Sequence, residues 1–243
     1  MMDEIKDVFE KLKLPYDDMR DRQYRGYMDG ILEWNQHVNL TAITDRDEFV
    51  EKHYIDSLLC AGSLEFQGAD TIIDVGTGGG FPGIPLAIAF PEKQFTLMDS
   101  LNKRIRIIRQ LCSELGIENV TAVHGRAEEL GRNKKMREAF DICVSRAVAN
   151  MSTLSEYCLP FVKVGGCFIA YKGPDCEKEL LDAANAVEKL GGAIVRCESF
   201  ASLGMNENSE SELQHQLIFV SKIKPTMSNF PRKPGTPSKE PIK

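Results

Sequence analysis

Residues 71–85 have the sequence TIIDVGTGGGFPGIP, in which a short apolar run leads directly into a glycine-rich turn. The run Thr71–Val75 has the length and the β-branched content of a buried strand. The glycines after it permit positive backbone φ and let a ligand approach the main chain closely. In an open α/β sheet, ligands bind at the carboxyl ends of strands, beside the point where the strand order reverses. We therefore expect a ligand site on this turn.

Two cofactor classes fit the turn. Gly78, Gly80 and Gly83 match the loose spacing of a dinucleotide-binding loop. Counted instead from the strand end, the carboxylate of Asp74 precedes Gly76, Gly78 and Gly80. A carboxylate repels a pyrophosphate and attracts the ammonium of a methionine moiety. The pattern favours S-adenosylmethionine over a dinucleotide, and a tight turn that binds nothing is the third interpretation.

Polar residues follow the next two predicted strands as well. Asp99 ends the second strand, where its carboxylate can accept both hydrogen bonds of a ribose diol. Asp99 or Ser100 can also cap the helix that starts near Leu101, and the two roles can coexist. Ala127 and Glu128 follow the third strand, where they can meet an adenine edge, although Glu128 fits a solvated helix start equally well.

The rest of the chain divides into three parts. Residues 1–64 carry three apolar stripes at helical spacing and predict a helical N-terminal cap. Residues 65–222 alternate strand and helix patterns, which is typical of a doubly wound, mostly parallel α/β sheet. The predicted strands are 71–75, 94–98, 119–123, 141–144, 167–171, 193–200 and 216–221. Because the polar stretch around 205–212 has no helical pattern, we expect the last two strands to form an antiparallel hairpin at the sheet's edge.

Composition excludes several classes of protein. The 243 residues have a formal net charge of −6, which argues against a uniformly basic nucleic-acid binder but permits a local basic patch. The charged N-terminus is unlike a secretory signal, and the apolar runs are too short to span a membrane. The seven cysteines form no CxxC pair, which favours reduced thiols in a cytoplasmic protein without a metal site.

The C-terminal tail, residues 223–243, differs in composition. Between residues 222 and 243 lie five prolines and six basic residues against a single acidic residue, Glu240. Such a composition is typical of an extended segment that is flexible without a partner. Arg232 and Lys233 in this tail are candidate contacts for RNA phosphates.

Several stretches together resemble one known family, the bacterial ribosomal small-subunit methyltransferase G, also called glucose-inhibited division protein B. The resemblance runs in the family's order from about residue 35 to the tail, and the motifs are specific as a set. They are Asn39-Leu40-Thr41, His53–Leu58, Gly76–Ala87, Asp99–Arg104, Ser145–Ala149, Lys172-Gly173 and Pro231–Gly235.

The resemblance implies a class I methyltransferase with a seven-stranded sheet and an antiparallel last strand. It implies transfer of a methyl group from S-adenosylmethionine to N7 of a guanine in 16S rRNA, near the decoding region. The partner would be the small ribosomal subunit or an assembly intermediate, and the enzyme would act as a monomer without metal or membrane.

Position and resemblance together select the candidate site residues. Arg146 and Lys172, which follow the fourth and fifth strands, are the candidate catalytic residues. The candidate cofactor contacts are Asp74, Gly76, Thr77, Gly78, Gly80, Phe81, Asp99, Ser100, Ala127, Glu128 and Arg146. The candidate RNA contacts are His53, Asp56, Arg104, Arg232 and Lys233, and an interhelical hydrogen bond is an equally good interpretation of His53 and Asp56.

The chemistry explains why the sequence shows no catalytic dyad. Guanine N7 has an available lone pair, and no proton must leave before it attacks a methyl group. Catalysis then depends on positioning and on the exclusion of water rather than on a general base. A methyltransferase for another substrate, a dinucleotide-dependent oxidoreductase and a catalytically silent rRNA-binding assembly factor remain open at this point.

Overall fold

The structure is a computed structural model that describes residues 2–146, 149–173, 176–199 and 216–243. Its α-helices are α1 (Met2–Lys11), α2 (Asp18–Asn35), α3 (Arg46–Phe49), α4 (Asp56–Leu58), α5 (Leu64–Gln67), α6 (Gly83–Ala89), α7 (Asn102–Leu115), α8 (Ala127–Leu130), α9 (Met151–Cys158), α10 (Glu177–Lys189) and α11 (Thr236–Lys239). Its strands are β1 (Thr71–Val75), β2 (Gln94–Asp99), β3 (Val120–His124), β4 (Phe140–Arg146), β5 (Val162–Lys172), β6 (Gly192–Ser199) and β7 (Gln216–Lys222).

The strands of the described residues form one seven-stranded sheet with the order β3-β2-β1-β4-β5-β7-β6. Strands β1 to β5 pair in parallel, whereas β7 is antiparallel to both β5 and β6. The strand order reverses between β1 and β4, so a crevice opens there at the carboxyl ends of the strands. The predicted doubly wound α/β fold with an antiparallel last strand is confirmed.

The sheet separates two apolar cores. Ile72 belongs to one core and its neighbour Ile73 to the other, as the two-residue period of a strand requires. Both side chains are fully buried. Strand β1 is therefore covered on both faces, which explains why its sequence is continuously apolar up to Asp74.

The N-terminal cap packs on the first of these cores. Phe9 of α1 and Tyr24, Tyr27 and Ile31 of α2 are fully buried there. The spacing of the third apolar stripe predicts one continuous α-helix. The described residues do not form that helix. The stripe is divided into α3, a π-helical segment Val50–Ile55, α4 and a 3₁₀ turn Leu59–Gly62. The wider π-helical turn carries His53 and Tyr54, and such segments are frequent at functional sites.

The tail does not have the extended, unattached character that its composition predicts. Phe230 and Ile242 are buried in the second core, and α11 packs near α9. Arg137 donates to the carbonyl oxygens of Thr226, Met227 and Phe230, at 2.6, 3.1 and 2.8 Å. The expectation of a flexible segment is wrong here because the domain supplies donors for main-chain carbonyls that proline-rich sequence leaves unpaired.

Two predictions concern residues that the structure does not describe. The hairpin connection around 205–212 and the Ala147-Val148 part of the fourth-strand motif lie outside the described residues. Among the helices of the described ranges, none combines the length and the hydropathy needed to cross a bilayer.

Candidate active site

The glycine turn after β1 adopts the backbone conformation that its sequence predicts. Gly76, Gly78 and Gly80 have φ values of 77°, 60° and 95°, a region that L-residues rarely enter. A Cβ built at Gly80 would lie 2.2 Å from the hydroxyl oxygen of Tyr27. At Gly78 a Cβ would have no atom within 4 Å, so the space in front of this residue is open. The turn is therefore packed on the side of Gly80 and accessible on the side of Gly78.

Asp74 organises the turn from below rather than lining its surface. Its side chain is fully buried, and Oδ2 accepts hydrogen bonds from the Thr77 hydroxyl at 2.6 Å and the Gly83 amide at 2.9 Å. Its other oxygen, Oδ1, has no hydrogen-bond partner among the described residues. Burial raises the pKa of this carboxyl to about 7, against the lowering effect of the Thr77 and Gly83 bonds. The orphaned oxygen is a place where a cationic donor would be stabilised.

Asp99 connects the turn to the next strand end. Its Oδ1 accepts from the Leu101 amide at 2.8 Å, and its Oδ2 accepts from the Gly78 amide at 3.0 Å. The prediction that Asp99 or Ser100 caps the helix is wrong, because the N-cap position of α7 is Leu101 and no side chain caps it. Arg104 donates to Oδ2 over a longer distance of 3.3 Å. Because a carboxylate has about four acceptor positions, a ribose diol can bind Asp99 if Arg104 moves aside. Ser100 lies beside Asp99 on the same surface.

Arg146 is the centre of a buried polar cluster at the end of β4. Its Nη1 donates to the Asp56 carboxylate at 2.6 Å and to the carbonyl oxygen of Lys52 at 2.8 Å. Its Nη2 lies 2.9 Å from Nδ1 of His53. The imidazole stacks on Phe81 with ring centroids 4.2 Å apart, and the guanidinium lies 5.4 Å from the same ring. The predicted residues His53 and Asp56 thus hold Arg146 in place.

Burial and the nearby guanidinium keep His53 uncharged. The imidazole loses water on burial and lies next to the cation of Arg146, and together these lower its pKa to about 3. Asp56 opposes this effect only in part. The cluster therefore contains a neutral histidine between a charged arginine and the hydroxyl of Thr41, which lies 2.7 Å from Nε2.

These groups surround one cleft of about 580 Å³. One wall is the glycine turn with Asp99, Ser100 and Arg104, and the other is the N-terminal cap with Arg146 of β4. The lining residues are Leu40, Thr41, Ala42, Ile43, His53, Gly76, Thr77, Gly78, Gly79, Phe81, Asp99, Ser100, Arg104 and Arg146. The cleft lies at the strand-order reversal, where the sequence analysis expects the ligand.

Three predicted site residues have partners elsewhere. Lys172 ends β5, where Nζ donates to the carbonyl oxygen of Ala149 and pairs with Glu179, both at 2.6 Å.

Glu128 is almost fully buried and accepts from the Gly235 amide of the tail at 2.8 Å. Glu128 therefore holds the tail on the domain, and this contact is independent of the predicted contact with adenine. Ala127 packs in the second core beside it. The catalytic role of Lys172 and the adenine contact of Ala127 and Glu128 stay predictions.

The two tail residues differ sharply. Arg232 forms a bidentate pair with Glu156, whose carboxylate is fully buried, and its own amide donates to the same carboxylate at 2.6 Å. Lys233 is exposed. The roles of Arg232 and Lys233 in RNA binding stay predictions. Lys233 presents its charge to solvent, whereas Arg232 would have to leave its buried partner Glu156 to contact RNA.

Two residues that build the cap wall, Asn35 and Tyr27, are not among the predicted site residues. Asn35 accepts from the amides of Leu40 and Thr41, at 2.8 and 3.0 Å, and donates to the Thr41 carbonyl at 2.9 Å. Tyr27 donates to the Gly79 carbonyl at 2.9 Å and so joins the cap to the glycine turn. The stretch Asn39-Leu40-Thr41 signals this wall only as part of the family resemblance, because its spacing alone indicates no site.

Solved structures with this fold define its class. The structure of a putative O-methyltransferase from Klebsiella pneumoniae matches 90% of this chain and 96% of its own, with a TM-score of 0.53 and 16% identity. The structure of M. jannaschii TYW2 in complex with AdoMet matches 75% of this chain and 80% of its own, with a TM-score of 0.53 and 14% identity. The chain therefore has the class I methyltransferase fold, with its cleft at the usual position.

Sequence comparison specifies the family. Residues 20–207 match the model of the GidB family, described as rRNA small subunit methyltransferase G. The ribosomal RNA small subunit methyltransferase G of Alkaliphilus metalliredigens is 48% identical over 239 residues, which is 98% of each chain. That of Clostridium novyi is 45% identical over 96% of this chain and 93% of its own. The chain belongs to the GidB family, and the predictions of a methyltransferase and of S-adenosylmethionine as its cofactor are confirmed at this level.

Proposed function

We propose that this protein methylates N7 of a guanine in 16S rRNA near the decoding region, with S-adenosylmethionine as the methyl donor. The observation that carries the proposal is the cleft itself, in which a glycine turn suited to the cofactor faces a cationic and aromatic wall suited to a purine. The substrate is the small ribosomal subunit or an assembly intermediate, and the enzyme acts as a cytoplasmic monomer.

The residues of the glycine-turn wall fit the cofactor. The open space before Gly78 admits a ligand next to the main chain, and the carboxylate of Asp99 can accept the hydroxyls of a ribose. The unpaired Oδ1 of Asp74 lies beneath the same turn and favours a cation near it. When bound, S-adenosylmethionine supplies an electrophilic methyl group on a positively charged sulfur.

The residues of the cap wall fit the other reactant. Guanine N7 needs no general base, so the wall has to orient the base and exclude water. Arg146 is only 10% exposed and its planar guanidinium is fixed by Asp56, Lys52 and His53. Three of its five N–H groups make these bonds, and the remaining donors can contact an oxygen of the base or of its phosphate. This role requires orientation rather than proton transfer.

RNA affinity would come from a small number of exposed charges. Arg104 lies at the cleft and is 31% exposed, and Lys233 is exposed on the tail. The net charge of −6 argues against indiscriminate binding to RNA. A small local footprint on a structured particle fits this distribution, and its affinity should fall as salt rises.

The decisive experiment is mass spectrometry of 16S rRNA fragments from cells with and without this protein. The proposal predicts the loss of one 7-methylguanosine at one position, and its return when the wild-type protein is supplied. A Gly78→Val variant serves as the control that should not restore the methyl group. An unchanged rRNA methylation pattern would contradict the proposal and favour a different methyl acceptor.

A further inference from the structure

We propose that Thr41 is a specificity-determining residue, whose hydroxyl is held as a hydrogen-bond donor and binds O6 of the target guanine. The inference rests on the proposed function, because it concerns how the same site selects its base. Thr41 lines the cleft together with Arg146 and His53. Its position and its proton are both fixed by neighbours.

The backbone of Thr41 is anchored by one side chain. Asn35, the last residue of α2, makes three hydrogen bonds to the main chain at Leu40 and Thr41. The carbonyl of Leu40 packs against the glycine turn, since a Cβ built at Gly79 would lie 3.3 Å from it. The loop therefore holds the Thr41 hydroxyl at a defined place on the cap wall.

The proton positions follow from the donors that surround His53. A guanidinium can only donate, so Nδ1 of His53 must accept from Arg146 at 2.9 Å. Because the imidazole is neutral, its single proton lies on Nε2. Nε2 then donates to the Thr41 oxygen at 2.7 Å, and the amide of Ile43 donates to the same oxygen at 3.0 Å. Both lone pairs of the hydroxyl are occupied, so the group can act toward a ligand only as a donor.

A donor without acceptor capacity distinguishes guanine from adenine. Both purines present N7 on the same edge, but guanine carries the acceptor O6 next to it, whereas adenine carries an amino donor. N7 must keep its lone pair for the methyl group, so O6 is the handle that remains on this edge. An ordinary hydroxyl could turn its lone pair to the amino group of adenine. The hydrogen bonds that run from Arg146 through His53 prevent this at Thr41, because His53 donates to the hydroxyl oxygen.

The test uses a double-mutant cycle between the protein and the base. Wild type, Thr41→Val and Thr41→Ser are assayed on small subunits whose 16S rRNA carries either guanine or 2-aminopurine at the methylated position, since 2-aminopurine lacks O6. On guanine, Thr41→Val should lower kcat/KM for the subunit by about 10- to 100-fold, whereas Thr41→Ser should stay within about threefold of wild type. On 2-aminopurine, wild type and Thr41→Val should have equal rates.

Two controls separate this role from folding and from cofactor binding. Thr44→Val changes an exposed threonine of the same loop and should leave the rate unchanged. Affinity for S-adenosylmethionine, measured by calorimetry, should be the same in Thr41→Val and wild type. The inference is overturned if Thr41→Val keeps the wild-type rate, loses cofactor affinity, or remains slower than wild type on 2-aminopurine. If wild type binds the cofactor but methylates no rRNA guanine, the proposed function fails instead.

Discussion

The two ends of the chain both fold back on the α/β domain, but they do so with opposite consequences. The N-terminal cap places the loop 40–43 and His53 in the cleft, and Tyr27 joins it to the glycine turn. The tail instead fastens to buried carboxylates, Glu128 and Glu156, on the side of α8 and α9. The N-terminal cap contributes residues to the cleft, whereas the basic tail, which composition alone assigns to RNA, is held on the domain by buried carboxylates.

The largest effect should come from Gly78→Val, which fills the open space where the cap wall and the glycine turn face each other. We expect affinity for S-adenosylmethionine to fall about 100-fold, because the added side chain occupies the ligand's approach to the main chain. Calorimetric titration measures this directly.

Gly116→Val is the matched control for this variant. Gly116 has a φ of 64° and, like Gly78, no atom within 4 Å of a built Cβ, but it ends α7. Both variants should lose about 1–2 kcal/mol of stability from left-handed strain. Equal loss of cofactor affinity in both would show that the effect is strain and not occupation of the site.

Arg232→Ala tests the structural role of the tail. Removing the guanidinium leaves the fully buried Glu156 carboxylate without its cationic partner and with only the amide of residue 232 to replace it, so we expect the free energy of unfolding to fall by about 3 kcal/mol. Chemical denaturation monitored by circular dichroism measures the change. A loss of RNA affinity with undiminished stability would reverse the contrast between the two ends.

Asp74→Asn tests the buried carboxyl beneath the turn. The folded-state pKa of Asp74 is about 7, above its ordinary value of 3.8, so the protonated form is favoured by folding. This stabilisation is fully present below the ordinary pKa of 3.8 and is lost as pH rises through 7, with about 3 kcal/mol of the loss between pH 5 and 8. His53, whose folded-state pKa is about 3, gives both proteins an opposite pH dependence, so the effect of Asp74 is the difference between them. The stability of wild type relative to the asparagine variant should fall by this amount when unfolding is measured from pH 5 to 8 without cofactor. The same pH dependence in both proteins would contradict the raised pKa of Asp74.

The smallest effect should come from Lys233→Ala. The side chain is exposed, so stability should change by less than about 0.5 kcal/mol. If Lys233 contacts a phosphate, the salt dependence of subunit binding should weaken by about one unit of log-log slope. An unaltered slope would exclude Lys233 as a phosphate contact.

The sheet and the glycine turn were predictable because local geometry determines them. The apolar run of β1 needs burial on both faces, and the turn after it needs residues that tolerate positive φ. The predicted and observed bounds of β1 coincide, β2 ends one residue later than predicted, and β3 is shifted by one residue. Asp99 was likewise placed correctly at the end of β2 and at the cleft.

The contacts that build the cap wall and hold the tail were not predictable from sequence spacing, because residues far apart in the chain form them. Arg146 finds Asp56 and His53 from 90 and 93 positions away, and Arg232 finds Glu156 from 76. No spacing rule connects such residues. Composition predicts an unattached tail because it counts the charges of the tail but not the buried carboxylates elsewhere in the chain that bind it.

The central claim is that S-adenosylmethionine binds between the glycine turn and Asp99, opposite Arg146. A crystal structure of the protein with the bound cofactor tests this claim most directly. We predict density for the ribose at Asp99 and for the methionine moiety over Gly76–Gly78, with the methyl group facing the cap wall. Density for the cofactor elsewhere, or an empty cleft at saturating cofactor, would contradict the account.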